Sequence, residues 1–339
     1  MLDFSGFLDL PLIWALLIAT AVFLYVLLDG FDLGIGILFP LAPSNECRSR
    51  MMNSIAPFWD GNETWLVLGG GGLFAAFPLA YSIIMPALYM PIILMLLGLI
   101  FRGVAFEFRF KASEKRRWIW DSAFHFGSLT ASFMQGVVLG NFIQGVEVTD
   151  RAFSGGALDW ANGFALMTGI AVVFGYALLG STWLIMKTEG ITQLWARQVA
   201  KYSLVLVVFF MIVVSISTPF IDDRMLNVWF SFPNMIYLSV IPLITFICTI
   251  MLIRALRREY EYQPFLFSIA LFLLCYIGFG ISMYPWIVPF HFDIWQAAAV
   301  STSQSILLIG TAIFLPIILA YTAFSFYTFR GKSSHEAMY

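Results

Sequence analysis

The chain has 339 residues, 60% of them hydrophobic and only 11% charged, with a net charge of -2. Soluble globular domains carry roughly a quarter charged residues, so an ordinary water-soluble fold is excluded; the weak ten-residue alternation of an outer-membrane barrel does not fit either. Apolar stretches long enough to cross ~30 Å of hydrocarbon as helices recur along the whole length, which reads as an all-α integral membrane protein.

In chain order, hydropathy predicts about nine transmembrane helices, at 10–38, 63–80, 82–106, 120–145, 161–186, 202–220, 233–253, 264–285 and 297–328. Asp3 and Asp9 precede the first apolar run and no Lys or Arg does, so the first span is expected to be retained rather than cleaved as a signal peptide. Of the 18 basic residues, 16 fall in loops on one side, from Arg48 and Arg50 to Arg330 and Lys332; only Arg151 and Arg224 fall on the other. The positive-inside rule then puts the N-terminus outside and the C-terminus in the cytoplasm, which requires an odd number of spans. "YVLLDGF" at Tyr25 and "YALLGST" at Tyr176 occupy similar places in the first and fifth spans. They admit two pseudo-repeated four-helix bundles, 1–150 and 151–290, with a final helix at 297–328. No linker rich in Pro, Ser or charge separates the halves, so the chain is read as one polytopic domain, 1–339.

The cysteines Cys47, Cys248 and Cys275 are scattered, with no disulfide or zinc spacing. His125 lies within a span, His291 in an outer loop and His335 in the tail, so no two of them are placed to clamp a metal or haem iron.

The acids are more telling. Asp29 and Asp32 sit three residues apart near the cytoplasmic end of the first span, on one helical face; Asp60 and Glu63 repeat that spacing at the start of the second. A carboxylate at the bilayer centre costs ~3 kcal/mol on insertion scales, so such a cluster must be paired, protonated or facing water. Arg102, at the cytoplasmic end of the third span, is a plausible counter-ion for one of them. Two readings stand. Asp60 caps a helix while Asp29 and Asp32 are solvated ends, or the acids form a proton-accepting mouth open to the cytoplasm. Gly69, Gly70, Gly71 and Gly72 leave a helix face bare, which permits close packing of another helix. Gly70, Gly72 and Ala75 formally match GxGxxA, but no strand precedes them and no nucleotide site follows. The "NET" sequon at Asn62 falls on the cytoplasmic side.

"DGFDLGIGIL" (29–38), "NSIAPFWDGNETWLVLGGGGLFAAFP" (53–78), "FRGVAFEFR" (101–109), "LGNFIQGV" (139–146), "MYPWIVP" (283–289) and "LPIILAYTAFSFYTFRGK" (315–332) lie toward both ends of the chain. In them the chain resembles subunit II of the cytochrome bd-type quinol oxidases, and its length and "WDGNETW" wording look more like the shorter, cyanide-insensitive branch. The resemblance implies a heterodimer in a prokaryotic cytoplasmic (inner) membrane. Subunit I would hold two b-type haems, one d-type haem and the quinol site, and the present subunit would ligate no haem iron. It further implies that Asp60 feeds cytoplasmic protons toward the haems, that Asp32 and Arg102 are important polar positions, and that Trp59 shields the path or packs at the subunit boundary. Gln296 stands where the family often carries an acid, so no role for an outer charge is carried over.

The expected function is thus a haem-free subunit of a quinol:oxygen oxidoreductase. The alternatives are a proton-coupled secondary transporter and a purely structural membrane partner. No nucleic-acid partner is expected, while small single-span accessory subunits and a structural quinone or lipid stay open.

Overall fold

The computed structural model describes residues 3–4 and 6–333, so His335 lies outside the described residues. Helix α1 (Leu10–Leu38) starts where the Asp9 carboxylate accepts a 3.1 Å hydrogen bond from the Leu12 amide, satisfying one of the orphan donors of the first turn. A short helix α2 (Asn45–Asn53), capped by Ser44 through the Cys47 amide at 3.1 Å, turns the chain into α3 (Trp59–Ala76). Pro78 disfavours helical geometry at Phe77, which adopts φ -134°, ψ 62°, and the apolar run expected at 63–80 breaks there into α3 and α4 (Pro78–Ala87). Then follow α5 (Tyr89–Lys111) and α6 (Arg117–Gln144). Gly145 ends α6 at φ 79°, in the left-handed region and against the Phe290 ring.

The second part of the chain supplies α7 (Gly163–Lys187), α8 (Gly190–Ser217), α9 (Asp223–Phe230), α10 (Asn234–Leu238), α11 (Val240–Arg257), α12 (Gln263–Met283) and α13 (Ser301–Thr328). Two short antiparallel hairpins, β1 (Val148–Thr149) with β2 (Ala152–Phe153) and β3 (Trp286–Val288) with β4 (Phe292–Asp293), lie at one end. Several boundaries differ from expectation. The third helix begins at Tyr89 rather than 82, because α4 is a separate piece. Helix α8 begins at Gly190 rather than 202: its polar first turns are amphipathic, burying Thr192, Ala196, Arg197 and Ala200, and a search for continuous apolar runs passes over them. Helix α9 occupies what reads as a loop, started by the Asp222 side chain on the Arg224 amide.

Eight helices among the described residues are long and apolar enough to cross a membrane. Helix α3 is not one of them, because Asp60, Asn62 and Glu63 fill its first turns. It nevertheless lies against α13 at both ends. Phe58 stacks on Phe326 at one end (4.4 Å between centroids), and at the other the Ala76 carbonyl accepts from the Ala299 amide at 2.9 Å.

Helix α1 lies at the centre, packed on α3, α6 and α7, while α5 packs along α6 and α8 along α7. Backbones touch at glycine crossings: a side chain at Gly34 of α1 would collide with the Tyr176 carbonyl of α7, and one at Gly127 of α6 would lie 2.6 Å from the Gly98 carbonyl of α5. The basic residues gather at one end. Arg109 and Arg48 share Asp121 there (2.6 and 3.5 Å), Arg197 donates to the Glu259 and Tyr260 carbonyls, and the chain's last described residues are strapped down by Lys332 on Glu261 (2.8 Å). Arg151 and Arg224 lie at the opposite end, over the rings of Phe292 and Phe290.

Candidate functional site

The helix crossings bring three spans together around one guanidinium. Arg102 of α5 sits one turn beyond Gly98, where the bare contact with Gly127 leaves no room for solvent, and it is fully buried. Its Nη2 donates to Asp29 Oδ1 of α1, itself fully buried, and lies 2.9 Å from Glu63 Oε1 of α3, whose side chain is 31% exposed. The Trp59 ring covers the guanidinium with its centroid 5.5 Å away, a cation–π contact that also excludes water. Asp32, fully buried as well, is not the partner of Arg102. Its Oδ2 accepts from Asn62 Nδ2 at 2.8 Å, and the same amide donates to the Leu28 carbonyl at 3.2 Å.

Asp60 stands apart, exposed in the first turn of α3. The N-cap of that helix is Phe58, with no side-chain cap bond, so Asp60 favours the helix dipole without being the cap. Asp29 and Asp32 are buried rather than solvated helix ends. The acids are therefore graded by depth: Asp60 exposed, Glu63 half-exposed and touching Arg102, Asp29 and Asp32 enclosed. Asp32 Oδ1 and Arg102 Nε and Nη1 are buried without a hydrogen-bond partner. Such atoms are rare in folded proteins and concentrate where ordered water or function demands them.

The four glycines divide. Gly69 and Gly72 approach Val22 and Ile18 of α1 closely enough that a Cβ would meet them at 3.2 and 3.0 Å, whereas Gly70 and Gly71 have nothing of this chain within reach. Close packing on one continuous bare face is thus replaced by two glycines turned inward and two turned outward.

The sequence reading missed Asn62 as a site residue, taking it only as part of a sequon. Its signal was the 3–4 spacing of Asn62, Trp65, Gly69, Gly72 and Ala76, the buried stripe of α3. It also missed Gln135 of α6, which links the hydroxyls of Tyr25 and Tyr176 at 2.8 and 2.6 Å. Tyr25 and Tyr176 drew notice only as repeat markers.

His125 lies two turns into α6 with Nδ1 3.1 Å from the Gly36 carbonyl, and His291 lies in the turn between β3 and β4 at the opposite end. No axial pair for a haem is formed by these two. Among the described residues no three His, Cys, Asp or Glu side chains stand together as a metal site.

Fold and site define a class: a polytopic helical membrane protein with an acid–arginine cluster buried between spans near its basic end. Within that class, the chain belongs to the cytochrome bd terminal oxidase subunit II family, whose model matches residues 10–329. It is 31% identical to the cytochrome bd-I ubiquinol oxidase subunit 2 of Escherichia coli (strain K12), over 96% of each chain. It is 28% identical to the cytochrome bd ubiquinol oxidase subunit 2 of Bacillus subtilis (strain 168), over 96% of this chain and 97% of that one. The fold is also that of a chain in the structure of bd oxidase from Geobacillus thermodenitrificans, with a TM-score of 0.72 at 17% identity, covering 95% of this chain and 99% of the other. Membership makes the protein one subunit of a terminal oxidase complex in the prokaryotic inner membrane and decides against the secondary transporter.

Proposed function

We propose that this chain is the haem-free subunit II of a cytochrome bd-type quinol:oxygen oxidoreductase, docking the haem-bearing subunit I and giving cytoplasmic protons a route inward from Asp60. The graded line of acids carries the reading: Asp60 exposed, Glu63 31% exposed on its side chain, Asp29 and Asp32 enclosed around Arg102. The positive-inside rule makes the basic end cytoplasmic, so this line begins on the side from which protons are drawn. The positions of His125 and His291 support leaving haem ligation to the partner.

The docking face follows from composition. Helix α3 is too polar to face lipid, and α1 covers only its inner stripe. Its other side exposes Asp60, Thr64, Val67, Gly71 and Phe74, so the partner subunit supplies the cover, with α13 alongside.

Asp60→Asn keeps size and much hydrogen bonding but cannot exchange a proton. It is expected to assemble with a full haem complement and to oxidise quinol at least tenfold more slowly. Haem content and turnover measured together decide: full activity defeats the route, and joint loss of haem and activity recasts Asp60 as structural. The second reading, a purely structural cluster, is favoured by Arg102 tying α1, α3 and α5 together, and it predicts the latter outcome.

A further inference from the structure

At the basic end, outside the acid cluster, one cation is held without an acid. Lys187 ends α7 and is 5% exposed. An ammonium withdrawn from water is unfavourable unless other groups replace its hydration. Among the described residues no ion pair includes it: Glu261, in the turn between α11 and α12, pairs with Lys332 instead (2.8 Å). Lys187 Nζ donates to the carbonyl of Phe329, the C-cap of α13, where the helix dipole gathers partial negative charge. It also lies over the rings of Phe58 and Trp183, 5.7 and 5.4 Å from their centroids. The segment that follows α13 closes over it. The Ser333 amide donates to the Lys187 carbonyl at 2.7 Å, the Ser333 hydroxyl to the Arg50 carbonyl of α2 at 2.8 Å, and Lys332 Nζ to the Thr188 carbonyl at 3.3 Å. Residues 329–333 thus tie α13, α7 and α2 together, gripping Lys187 by both its ammonium and its carbonyl.

This clamp meets the proton entrance at the Phe58 ring. Phe58 is 4% exposed, stacked on Phe326 (4.4 Å between centroids, 7° between planes) and set edge-on to Trp183 and Phe329 (5.8 and 6.2 Å). It is also the N-cap residue of α3, yet its side chain bonds no amide of the first turn, so ring packing rather than capping determines where α3 begins. The next two residues are Trp59, over Arg102, and Asp60, exposed in that turn. A neutral side chain of the same length would fill the space of Lys187; its charge adds a bond to the end of α13 and an attraction to the Phe58 face. We propose that Lys187 is a positioning residue: by holding the end of α13 and the 329–333 strap across Phe58, it fixes the first turn of α3 and so the place of Asp60 at the cytoplasmic mouth. This rests on the proton-route reading and gives that route a support from the second half of the chain.

The test is made on the assembled oxidase, by haem content and turnover per haem. Lys187→Met keeps the stem and removes the charge. It is expected to retain the haem complement and turn over severalfold more slowly, with Lys187→Arg recovering most of the loss, since a guanidinium also donates to a carbonyl and lies on an aromatic face. A merely structural lysine would lower the yield and leave turnover per haem at the wild-type value, and that result overturns the proposal. In an Asp60→Asn background Lys187→Met should slow turnover no further, because a residue acting through another does not add to its loss; an equal further fall breaks the link to Asp60. If Lys187→Met does not assemble, Phe58→Leu carries the test, since apolar bulk stays and the ring face goes. The same slowing with full haem is expected, and either unchanged turnover per haem or joint loss of haem and turnover overturns the assignment. The two levels of inference separate cleanly. Slow Asp60→Asn beside wild-type turnover in Lys187→Met refutes the clamp alone, whereas full activity in Asp60→Asn removes the proton route and the role of Lys187 with it.

Discussion

Arg102 bridges a carboxylate that never sees water and one that does. Removing it leaves Asp29 enclosed without its strongest partner, and breaking a buried pair from one side costs ~3–5 kcal/mol. Arg102→Ala is therefore expected to lower the yield of assembled complex severalfold, measured by haem per milligram of membrane protein. Arg102→Lys keeps the charge but presents a single point rather than a fork, and it should recover only part of the loss. Wild-type yield in Arg102→Ala would mean that the guanidinium merely reaches the interface. The charged members of this site were legible in the sequence because a carboxylate or guanidinium inside an apolar run stands out against a low background. Asn62 and Gln135 were not, because uncharged polar residues are common in spans and their meaning depends on how each helix is rotated. The assignment of a counter-ion has the same limit: the sequence set Asp32, or another of the cytoplasmic-side acids, against Arg102, and only the packing of α1, α3 and α5 makes Asp29 and Glu63 the partners instead.

Between elements, glycines set how near the backbones come. A methyl group at Gly34 would occupy the place of the Tyr176 carbonyl, which belongs to a helix backbone and cannot swing aside. Gly34→Ala should accordingly force α1 from α7 and cost a few kcal/mol, in the range of overpacked cores, read as a fall in the thermal inactivation temperature of the purified complex. Gly70→Ala meets nothing within this chain and gains helix propensity, so it should leave that temperature unchanged or slightly higher unless the partner lies against it. Equal behaviour of the two variants would remove the crossing from the account. The long apolar spans could be read from hydropathy because their length alone is decisive. The break at Phe77 could have been read from Pro78, and the early start of α8 from the spacing of its small residues. The glycine contacts could not: "GGGG" announces a bare surface without saying which two residues face inward.

At the scale of the whole molecule, eight helices among the described residues are apolar enough for lipid, whereas α3, with Asp60, Asn62 and Glu63 in its first turns, is not. A helix of that composition is retained in a membrane only when protein covers both its sides, since polar groups facing hydrocarbon are costly. Helix α1 covers one side, and the exposed row through Thr64 and Gly71 awaits the other. This yields a prediction that separates a docking face from a lipid face. Gly71→Leu adds an apolar side chain on the exposed side of α3, at a position whose Cβ would have nothing of this chain within 4 Å. It raises intrinsic helix propensity by up to ~1 kcal/mol, so it does not weaken the chain by itself, and a lipid-facing position would welcome it. Against a closely packed partner the same side chain has no room. Gly71→Leu should therefore reduce the haem-bearing subunit recovered with an affinity-tagged copy of this chain at least severalfold. Phe209→Leu, on the equally open surface of α8 at 56% exposure, should leave recovery unchanged. Undiminished recovery with Gly71→Leu would move the subunit boundary off α3, and with it the idea that Asp60 opens at the junction of the two subunits.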